Sequence, residues 1–374
     1  MNPEHWLSRL VRIPSVTPPH AGPRAGTPGE ARIAAELAAW FAGLGAEVVS
    51  EDAHPGRPNV YGIWRNPDSD RWVALDVHTD TVGVEQMPGD PFSGEHRDGR
   101  VWGRGAVDNK ASLAAALSVL EALHDAQRRP GPNVIVAAVA DEEMTLCGAY
   151  VFEAWLRRRG MRMDELLVAE PTLCAPCFGH MGSARIEFTV QGVSTHTSQP
   201  HLGRNAIVGA ARIAMAMQAE HERLQTVAPT PVGRGQLSAV HVSGGRAPNI
   251  VPDVATLMVN RRLTTDEDET VTLTALAALG ENAAGLPTES VIHKPMSAFL
   301  QDEQSGTIRR FSAWSGMAPV TVPYCSDASA YSSATTANIL VMGPGSIDQA
   351  HGAEEWVAID EVRKMAEVYR RWWA

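Results

Sequence analysis

Short, uninterrupted apolar runs alternate with helical segments along much of the chain. The runs cover residues 72–77, 134–140, 166–169 and 339–342. Runs of this length are typical of strands that are buried on both faces of a sheet. Apolar residues recur with helical spacing over residues 31–44, 111–123 and 149–158. Strands that alternate with helices predict an α/β domain with a mostly parallel central sheet and helices on both of its faces.

The hydrophobic pattern changes in the middle of the chain. It indicates, in order, a strand at 184–190, a helix at 206–217, strands at 237–242 and 254–263, a helix at 269–279 and a strand at 289–293. This βαββαβ order is that of a ferredoxin-like unit. We therefore expect a catalytic domain formed by residues 1–180 and 295–374, which is interrupted by an inserted α+β domain of residues 181–294.

Length and charge narrow the class of protein. A chain of 374 residues exceeds the usual size of a single hydrophobic core, which agrees with two domains. Its net charge of -11 argues against a nucleic-acid partner. The first residues lack the apolar region of a signal peptide, and no apolar run approaches the ~20 residues of a membrane helix. Together with only 4 cysteines, these features predict a cytoplasmic protein without a membrane partner.

Acids or histidines follow each of the four apolar runs. In chain order these residues are His78 and Asp80, then Asp141, Glu142 and Glu143, then Glu170, and finally His351. Asp108 lies between the first two runs, where the glycine-rich stretch GRGAVDNK enters a helix. Sites in open α/β sheets form beyond the carboxyl ends of the strands, so these side chains are expected to converge. Two histidines with several carboxylates suit zinc or cobalt, and the excess of carboxylates suits two metals that share an acid.

The motifs HTD, GRGAVDNK, DEE, AEP and GPGSIDQAH, in this order, resemble those of a family of co-catalytic metallopeptidases and amidohydrolases. The family includes acetylornithine deacetylase, succinyl-diaminopimelate desuccinylase, aminoacylase and carboxypeptidase G. The resemblance covers nearly the whole chain and is nearest to the acetylornithine deacetylase branch. It implies a metal-bearing α/β domain interrupted by a ferredoxin-like lid, and a homodimer formed through that lid.

The resemblance also implies two divalent metal ions, with zinc expected and cobalt or manganese as alternatives. His78, Asp108 and Glu170 would hold one metal. Asp108, Glu143 and His351 would hold the other, so that Asp108 bridges the pair.

Catalytic roles follow from the same resemblance. Glu142 would be the general base. Asp80 would orient the imidazole of His78, since residues two apart on an extended strand point the same way. His196, in the stretch GVSTHTSQPHLGRNAI, would stabilise the tetrahedral intermediate.

Substrate contacts are expected from two further residues. Asn249 in GGRAPNIVPD would contact the substrate, and Arg262 in VNRRLT would bind its carboxylate, with Arg261 as the alternative. Two acids are left with supporting roles, Asp141 beside the general base and Asp327 shortly before the last predicted strand.

The predicted reaction is cleavage of the amide bond of an N-acyl amino acid with a small acyl group. A dipeptidase or carboxypeptidase with the same metal centre is the alternative. A third hypothesis, a catalytically inactive binding protein, is disfavoured because all five metal positions and Glu142 carry competent residue types. A serine hydrolase and an H-E-x-x-H metalloprotease are disfavoured because neither G-x-S-x-G nor H-E-x-x-H occurs in the sequence.

Overall fold

A computed structural model of the chain describes residues 2–331 and 334–374. The described chain divides into two compact units. The first unit comprises Met1–Phe178, Gln301–Val320 and Ser326–Ala374. The second comprises Gly179–Leu300 and Thr321–Cys325.

The helices and strands follow one another as mixed α and β elements. The α-helices are α1 (Pro3–Val11), α2 (Ala31–Gly43), α3 (Lys110–Asp125), α4 (Cys147–Arg158), α5 (Ala206–Thr226), α6 (Glu269–Ala284), α7 (Gly306–Ser315) and α8 (Ile359–Trp372). The strands are β1 (Glu47–His54), β2 (Arg57–Trp64), β3 (Trp72–His78), β4 (Glu95–Arg97), β5 (Arg100–Trp102), β6 (Asn133–Val139), β7 (Glu165–Val168), β8 (Cys177–His180), β9 (Gly182–Gln191), β10 (Thr195–His196), β11 (Gln236–Gly244), β12 (Ile250–Val251), β13 (Val254–Leu263), β14 (Thr288–Ile292), β15 (Phe299–Leu300), β16 (Val320–Val322), β17 (Ile339–Val341) and β18 (Trp356–Ala358). Across residues 2–331 and 334–374, no helix combines the length and the apolar character needed to cross a bilayer.

The central sheet of the first unit confirms the predicted α/β class. Its four middle strands lie in the order β6-β3-β7-β17, and all three pairings between them are parallel. The outer strands β2 and β1 add antiparallel pairings, so the parallel character is confined to the middle of the sheet. A tight turn joins β1 to β2 and accounts for their antiparallel pairing, whereas parallel neighbours need a longer crossover.

Helices cover both faces of this sheet. Successive residues of a strand point to opposite faces, and β2 shows both environments. Tyr61 packs against Phe152 of α4, with ring centroids 4.8 Å apart. Trp64 packs on the other face against Phe41 of α2, with ring centroids 5.6 Å apart.

Helix α3 is buried along most of its length. Its first eleven residues, KASLAAALSVL, are all buried, which agrees with the nearly continuous run of apolar and small side chains. A helix enclosed in this way is a rigid support. The residue two positions before it, Asp108, is therefore attached to one of the best-packed parts of the first unit.

The second unit has the ferredoxin-like chain order. Strands and helices follow as β9-α5-β11-β13-α6-β14, and the antiparallel sheet has the strand order β11-β13-β9-β14. Alternate residues of β9 and β13 enter a core that is shared with α5 and α6. The strands at the two ends of the unit are neighbours, since His180 pairs with Phe299 and Gly179 with Leu300.

Candidate metal centre

The parallel strands of the first unit end level with one another. The amide of Thr79 donates to the carbonyl of Val139 at 2.8 Å, and the amide of Ala169 donates to the carbonyl of Asp76 at 2.9 Å. These bonds continue the ladders of β3 with β6 and with β7 by one residue. The segments that carry His78, the three acids 141–143 and Glu170 therefore leave the sheet side by side.

Asp108 reaches the same edge through a tight loop. Gly103 and Gly105 have φ angles of 136° and 81°, which favour glycine over residues with a side chain. A Cβ at Gly103 would also lie 2.5 Å from Cγ1 of Val11. The glycines therefore allow the chain to fold closely before α3, and the carboxylate of Asp108 lies between the two histidines.

Two groups of potential ligands share Asp108. The ligand atoms of His78, Asp108 and Glu170 all lie within 4.8 Å of one another, and so do those of Asp108, Glu143 and His351. One oxygen of Asp108 lies 2.9 Å from Nε2 of His78, and the other lies 3.1 Å from Nε2 of His351. Nε2 of His351 also lies 3.2 Å from Glu143. One carboxylate thus joins two clusters of imidazole and carboxylate donors.

The orientation of the His78 ring suits metal binding. Its Nδ1 lies 3.1 Å from the main-chain oxygen of Asp80, which can only accept, so Nδ1 carries a proton and donates it. Nε2 faces the carboxylate of Asp108 at 2.9 Å. Burial lowers the pKa of His78, but its hydrogen bonds to Asp108 and Asp80 raise it well above the usual value, so the proton on Nε2 is the one that a metal ion would displace. The carboxylate of Asp80 is farther from Nδ1, at 3.7 Å. The nearer orienting contact to His78 therefore comes from the backbone of Asp80.

The carboxylate of Asp80 instead holds the segment of acids. Its two oxygens accept hydrogen bonds from the amides of Glu142 and Glu143, at 3.0 and 3.2 Å. These bonds fix the backbone from which both glutamate side chains extend. The sequence pattern indicated that Asp80 supports the site, but it did not indicate this contact.

The electrostatics of the centre favour bound cations. Burial raises the pKa of Glu142 and Glu170 well above the usual range, and the negative charge of Asp108 raises both further. Burial lowers the pKa of His351, but its hydrogen bonds to Asp108 and Glu143 raise it to about 11. Buried carboxylates that repel one another are stabilised by divalent cations, and oxygen and imidazole donors are common ligands of zinc. The residues therefore fit a two-metal centre.

Asp141 is separated from its two acidic neighbours. It has a φ of 65°, and its carboxylate lies 2.7 Å from Nη1 of Arg57 and 3.1 Å from Nε2 of His54. Arg57 also pairs with the buried Glu30 at 2.6 Å. Asp141 is therefore part of an ion-pair network that anchors the start of the acidic segment.

A second group of buried acids was only partly indicated by the sequence. Asp327 and Asp76 are buried together with Tyr331, whose hydroxyl donates to Asp76. Burial raises the pKa of Asp76 to about 7, although the hydrogen bond from Tyr331 opposes the rise. Asp76 was not predicted, although an acid inside the apolar stretch VALDVH was a usable signal.

His196 and Asn249 lie close together in the second unit. His196 pairs with Ile250 between β10 and β12, and the amide of Thr197 donates to the carbonyl of Asn249 at 3.0 Å. Both side chains are exposed. The two residues singled out from different motifs are thus brought together by a short two-stranded ladder.

The two adjacent arginines of β13 have different surroundings. Arg261 is only 1% exposed, and its guanidinium pairs with Glu267 and bonds to the carbonyl of Gln236 at 3.3 Å. Arg262 is partly exposed and lies on the opposite face of the strand. Of the two candidates, Arg262 therefore has the side chain that is available to a ligand.

An α/β sheet that brings imidazoles and carboxylates together at its carboxyl edge has the arrangement expected of a metal-dependent hydrolase. The chain belongs to peptidase family M20/M25/M40, whose sequence model matches residues 74–374. Members of this family hydrolyse amide bonds, and the chain is a hydrolase of this kind.

Two relatives with curated names, and one solved structure of another protein, each match this chain over almost its full length. The acetylornithine deacetylase of Vibrio campbellii is 28% identical over 352 residues, which cover 92% of this chain and 91% of that protein. A succinyl-diaminopimelate desuccinylase of Cereibacter sphaeroides is 28% identical over 400 residues, covering 99% and 98%. The solved metallo-carboxypeptidase Sso-CP2 of Sulfolobus solfataricus has a TM-score of 0.79 at 17% identity and covers 99% of this chain and 98% of its own. At this identity, the structural match bears on the fold alone.

Proposed function

We propose that the protein is a two-metal hydrolase that removes a small acyl group from the nitrogen of an amino acid. The observation that carries this proposal is the pair of ligand groups joined by Asp108. In the proposal, His78 and Glu170 complete one metal site, and Glu143 and His351 complete the other. Zinc is the expected metal, with cobalt or manganese as alternatives.

Glu142 is the proposed general base. The bound ions would supply Lewis acidity and lower the pKa of a water from ~15.7 to roughly 7. Glu142 would accept a proton from the attacking water and then donate it to the leaving nitrogen. Its backbone is held by Asp80, and its raised pKa follows from burial and from the charges of Glu143 and Asp108. A carboxylate with a raised pKa is suited to taking up and returning a proton.

Residues of the second unit are proposed to contact the substrate. His196 would donate to the oxyanion of the tetrahedral intermediate, and Asn249 would contact the substrate beside it. Arg262 would bind the substrate carboxylate through two parallel hydrogen bonds, since its side chain is partly exposed on the face of β13 opposite to Arg261.

A small acyl group and an amino acid are the proposed parts of the substrate. Support comes from the names of the two curated relatives, a deacetylase and a desuccinylase. The alternative is a dipeptidase or carboxypeptidase. It is supported by the match of the chain to the sequence model of a peptidase family.

A substrate screen separates the two activities. The purified protein would be loaded with zinc, cobalt or manganese and assayed on N-acetyl amino acids, N-succinyl amino acids and dipeptides. We expect turnover of the N-acyl amino acids. Turnover of dipeptides alone would replace the deacylase proposal with the peptidase alternative, and no turnover of any amide would contradict both.

The substitution Glu142→Gln tests the proposed base. It keeps the shape of the side chain but cannot accept the proton, so kcat should fall by roughly 10²- to 10⁴-fold. Metal content, measured by elemental analysis, should stay at the wild-type level. Glu354→Gln, at an exposed position near His351, is the matched control and should keep full activity. Retained activity in Glu142→Gln would remove Glu142 from its proposed role.

We further propose a homodimer formed through the second unit. Strand β11 is an edge strand of its sheet and is exposed over its last seven residues. Val240 and Val242 are 54% and 61% exposed, which is unusual for valine on a strand. An exposed apolar edge of this kind can pair with a second copy of itself.

A further inference from the structure

A buried ion pair lies beside the proposed metal centre without belonging to either ligand group. Arg104 and Glu355 are each 1% exposed, and Nη1 of Arg104 lies 2.6 Å from Oε2 of Glu355. The pair joins residues that are far apart in sequence. A buried pair of this kind is weak evidence for stability, because desolvation of both charges offsets their attraction. The contacts of Arg104 and Glu355 with the surrounding backbone therefore need an explanation other than stability.

Glu355 contacts the backbone that carries the shared ligand. Its Oε1 accepts hydrogen bonds from the amides of Val107 and Asp108, at 3.1 and 3.3 Å. The carbonyl of Glu355 also accepts from the amide of Gly103 at 3.0 Å. The position of Glu355 follows from the pairing of β18 with β5, because each segment lies one residue outside that ladder. Glu355 thus holds both ends of the loop that ends in Asp108.

Arg104 contacts two further segments that carry site residues. Its Nη2 donates to the carbonyl of Gly83 at 2.9 Å and to that of Gly352 at 3.1 Å. Gly83 follows the strand end of His78 and Asp80 by a few residues. Gly352 directly follows His351, which has a φ of 60°. A backbone in this region is unfavourable for a non-glycine residue and persists where the surroundings hold it.

The pair therefore joins three segments of the centre through their backbones. The planar guanidinium can direct its donors at Glu355, Gly83 and Gly352 at once, which a lysine ammonium cannot do with the same geometry. The positive charge of Arg104 also neutralises Glu355. Glu355 can then accept from the Asp108 amide without adding net negative charge to a centre that is already rich in carboxylates.

We propose that Arg104 and Glu355 are positioning residues that fix the Asp108 loop and the His351 loop relative to each other. They thereby set the spacing of the two metal sites. This inference rests on the two-metal centre proposed above. It assigns no contact between the pair and the substrate, so the effect should appear first in metal binding.

The test uses Arg104→Lys and Glu355→Gln in the full-length protein, titrated with Zn²⁺ in a calorimeter and with Co²⁺ by visible absorption. Loss of a contact that orients ligands typically weakens metal binding by about 10- to 100-fold. We expect a loss of affinity of this size at one of the two metal sites, with Zn²⁺ as well as with Co²⁺. The Co²⁺ spectrum should also change. Glu267→Gln is the matched control, because it breaks the ion pair with the buried Arg261 in the second unit. It should leave both metal affinities unchanged.

Each outcome bears on the proposal separately. If the wild type binds two ions and both variants bind them with wild-type affinity and spectrum, the inference is wrong. If the wild type does not bind two ions, the proposed metal centre itself fails. Should a single variant not fold, Arg104→Met combined with Glu355→Leu removes the pair without leaving a buried charge, a type of replacement that often preserves stability. Wild-type metal binding in that folded double variant would also overturn the inference.

Discussion

At the scale of single residues, alanine substitutions of the two neighbouring arginines of β13 should affect different quantities: one the KM, the other the free energy of unfolding. Arg262→Ala should remove a charged hydrogen bond to the substrate that contributes about 1.5–3 kcal/mol, so KM should rise by roughly 10- to 100-fold. The free energy of unfolding should stay near the wild-type value, because the side chain is partly exposed. Steady-state kinetics and urea unfolding of the same preparation measure both quantities.

Arg261→Ala serves as the comparison for this prediction. It should lower the free energy of unfolding by roughly 1–3 kcal/mol, since it removes the buried hydrogen bonds of the guanidinium to Glu267 and to the carbonyl of Gln236. KM should change little in the fraction that stays folded. The reverse pattern, with Arg261 affecting KM and Arg262 affecting stability, would contradict the assignment.

We expect the free energy of unfolding to depend on pH through the buried His180. Burial lowers its pKa to about 4 from an ordinary value of 6.5, while a bond to the main-chain oxygen of Met181 opposes the shift. The unfolded chain therefore takes up a proton that the folded chain does not. This contribution to stability is complete above pH 6.5 and is lost as pH falls towards 4; at pH 5 the loss is about 2 kcal/mol.

His180→Phe isolates this contribution. Phenylalanine cannot titrate, and it can replace the ring contact that His180 makes with Phe299. Urea unfolding at pH 7 and at pH 5 should show a smaller loss of stability for the variant than for the wild type. Equal losses in the two proteins would show that His180 does not titrate with a lowered pKa.

Single residues differ in how well the sequence predicts them. His78, Glu143 and Glu170 follow apolar strands, so the order of residues along the chain is enough to indicate their convergence. Arg104 and Glu355 act through backbone carbonyls and amides, whose positions depend on strand pairing and leave no pattern in the side chains. The burial of Arg261 was predictable from the sequence, because Arg261 shares the odd-numbered positions of β13 with buried apolar residues such as Val259.

At the scale of elements, strand β11 is where the proposed dimer can be tested. Val242→Lys places a charge on the exposed edge, and charges at edges oppose pairing between sheets. We expect the variant to sediment as a monomer at concentrations at which the wild type is a dimer. Val271→Lys is the control, because Val271 is 66% exposed on helix α6 rather than on the edge strand. A dimer that persists in Val242→Lys would place the interface elsewhere.

Many elements with a regular pattern were predicted, but helices α1 and α8 were not, although their buried residues recur with helical spacing. Every strand and helix that forms the ferredoxin-like order was indicated by its periodicity. Strands β1 and β2 were missed because EVVSEDAH is partly exposed and RPNVYGIW contains Pro58 and Gly62. Gly62 is required by packing, since a Cβ there would lie 2.8 Å from the ring of Phe41.

At the scale of the whole molecule, metal removal should lower thermal stability. Bound ions stabilise the folded chain by about 2.7 kcal/mol per site when the free metal is at 100 times its Kd. Treatment with a chelator should lower the unfolding temperature in a calorimetric scan, and Zn²⁺ should restore it. Asp108→Asn is the comparison, because it weakens both sites and should show a smaller response to Zn²⁺. An unfolding temperature that is independent of metal would contradict the proposed centre.

The pairing of the strands at the two ends of the second unit has a consequence for how such a chain can change. Gly179 and Leu300 are neighbours in a ladder, and the amide of Gln301 donates to the carbonyl of Phe178 at 2.7 Å. The long segment of the second unit, Gly179–Leu300, thus begins and ends at almost the same point, and Thr321–Cys325 completes the unit. A short turn could bridge Phe178 and Gln301, so the intervening segment can be exchanged as a module. Substrate preference would then change with that module, because the residues proposed to hold the metals lie outside it.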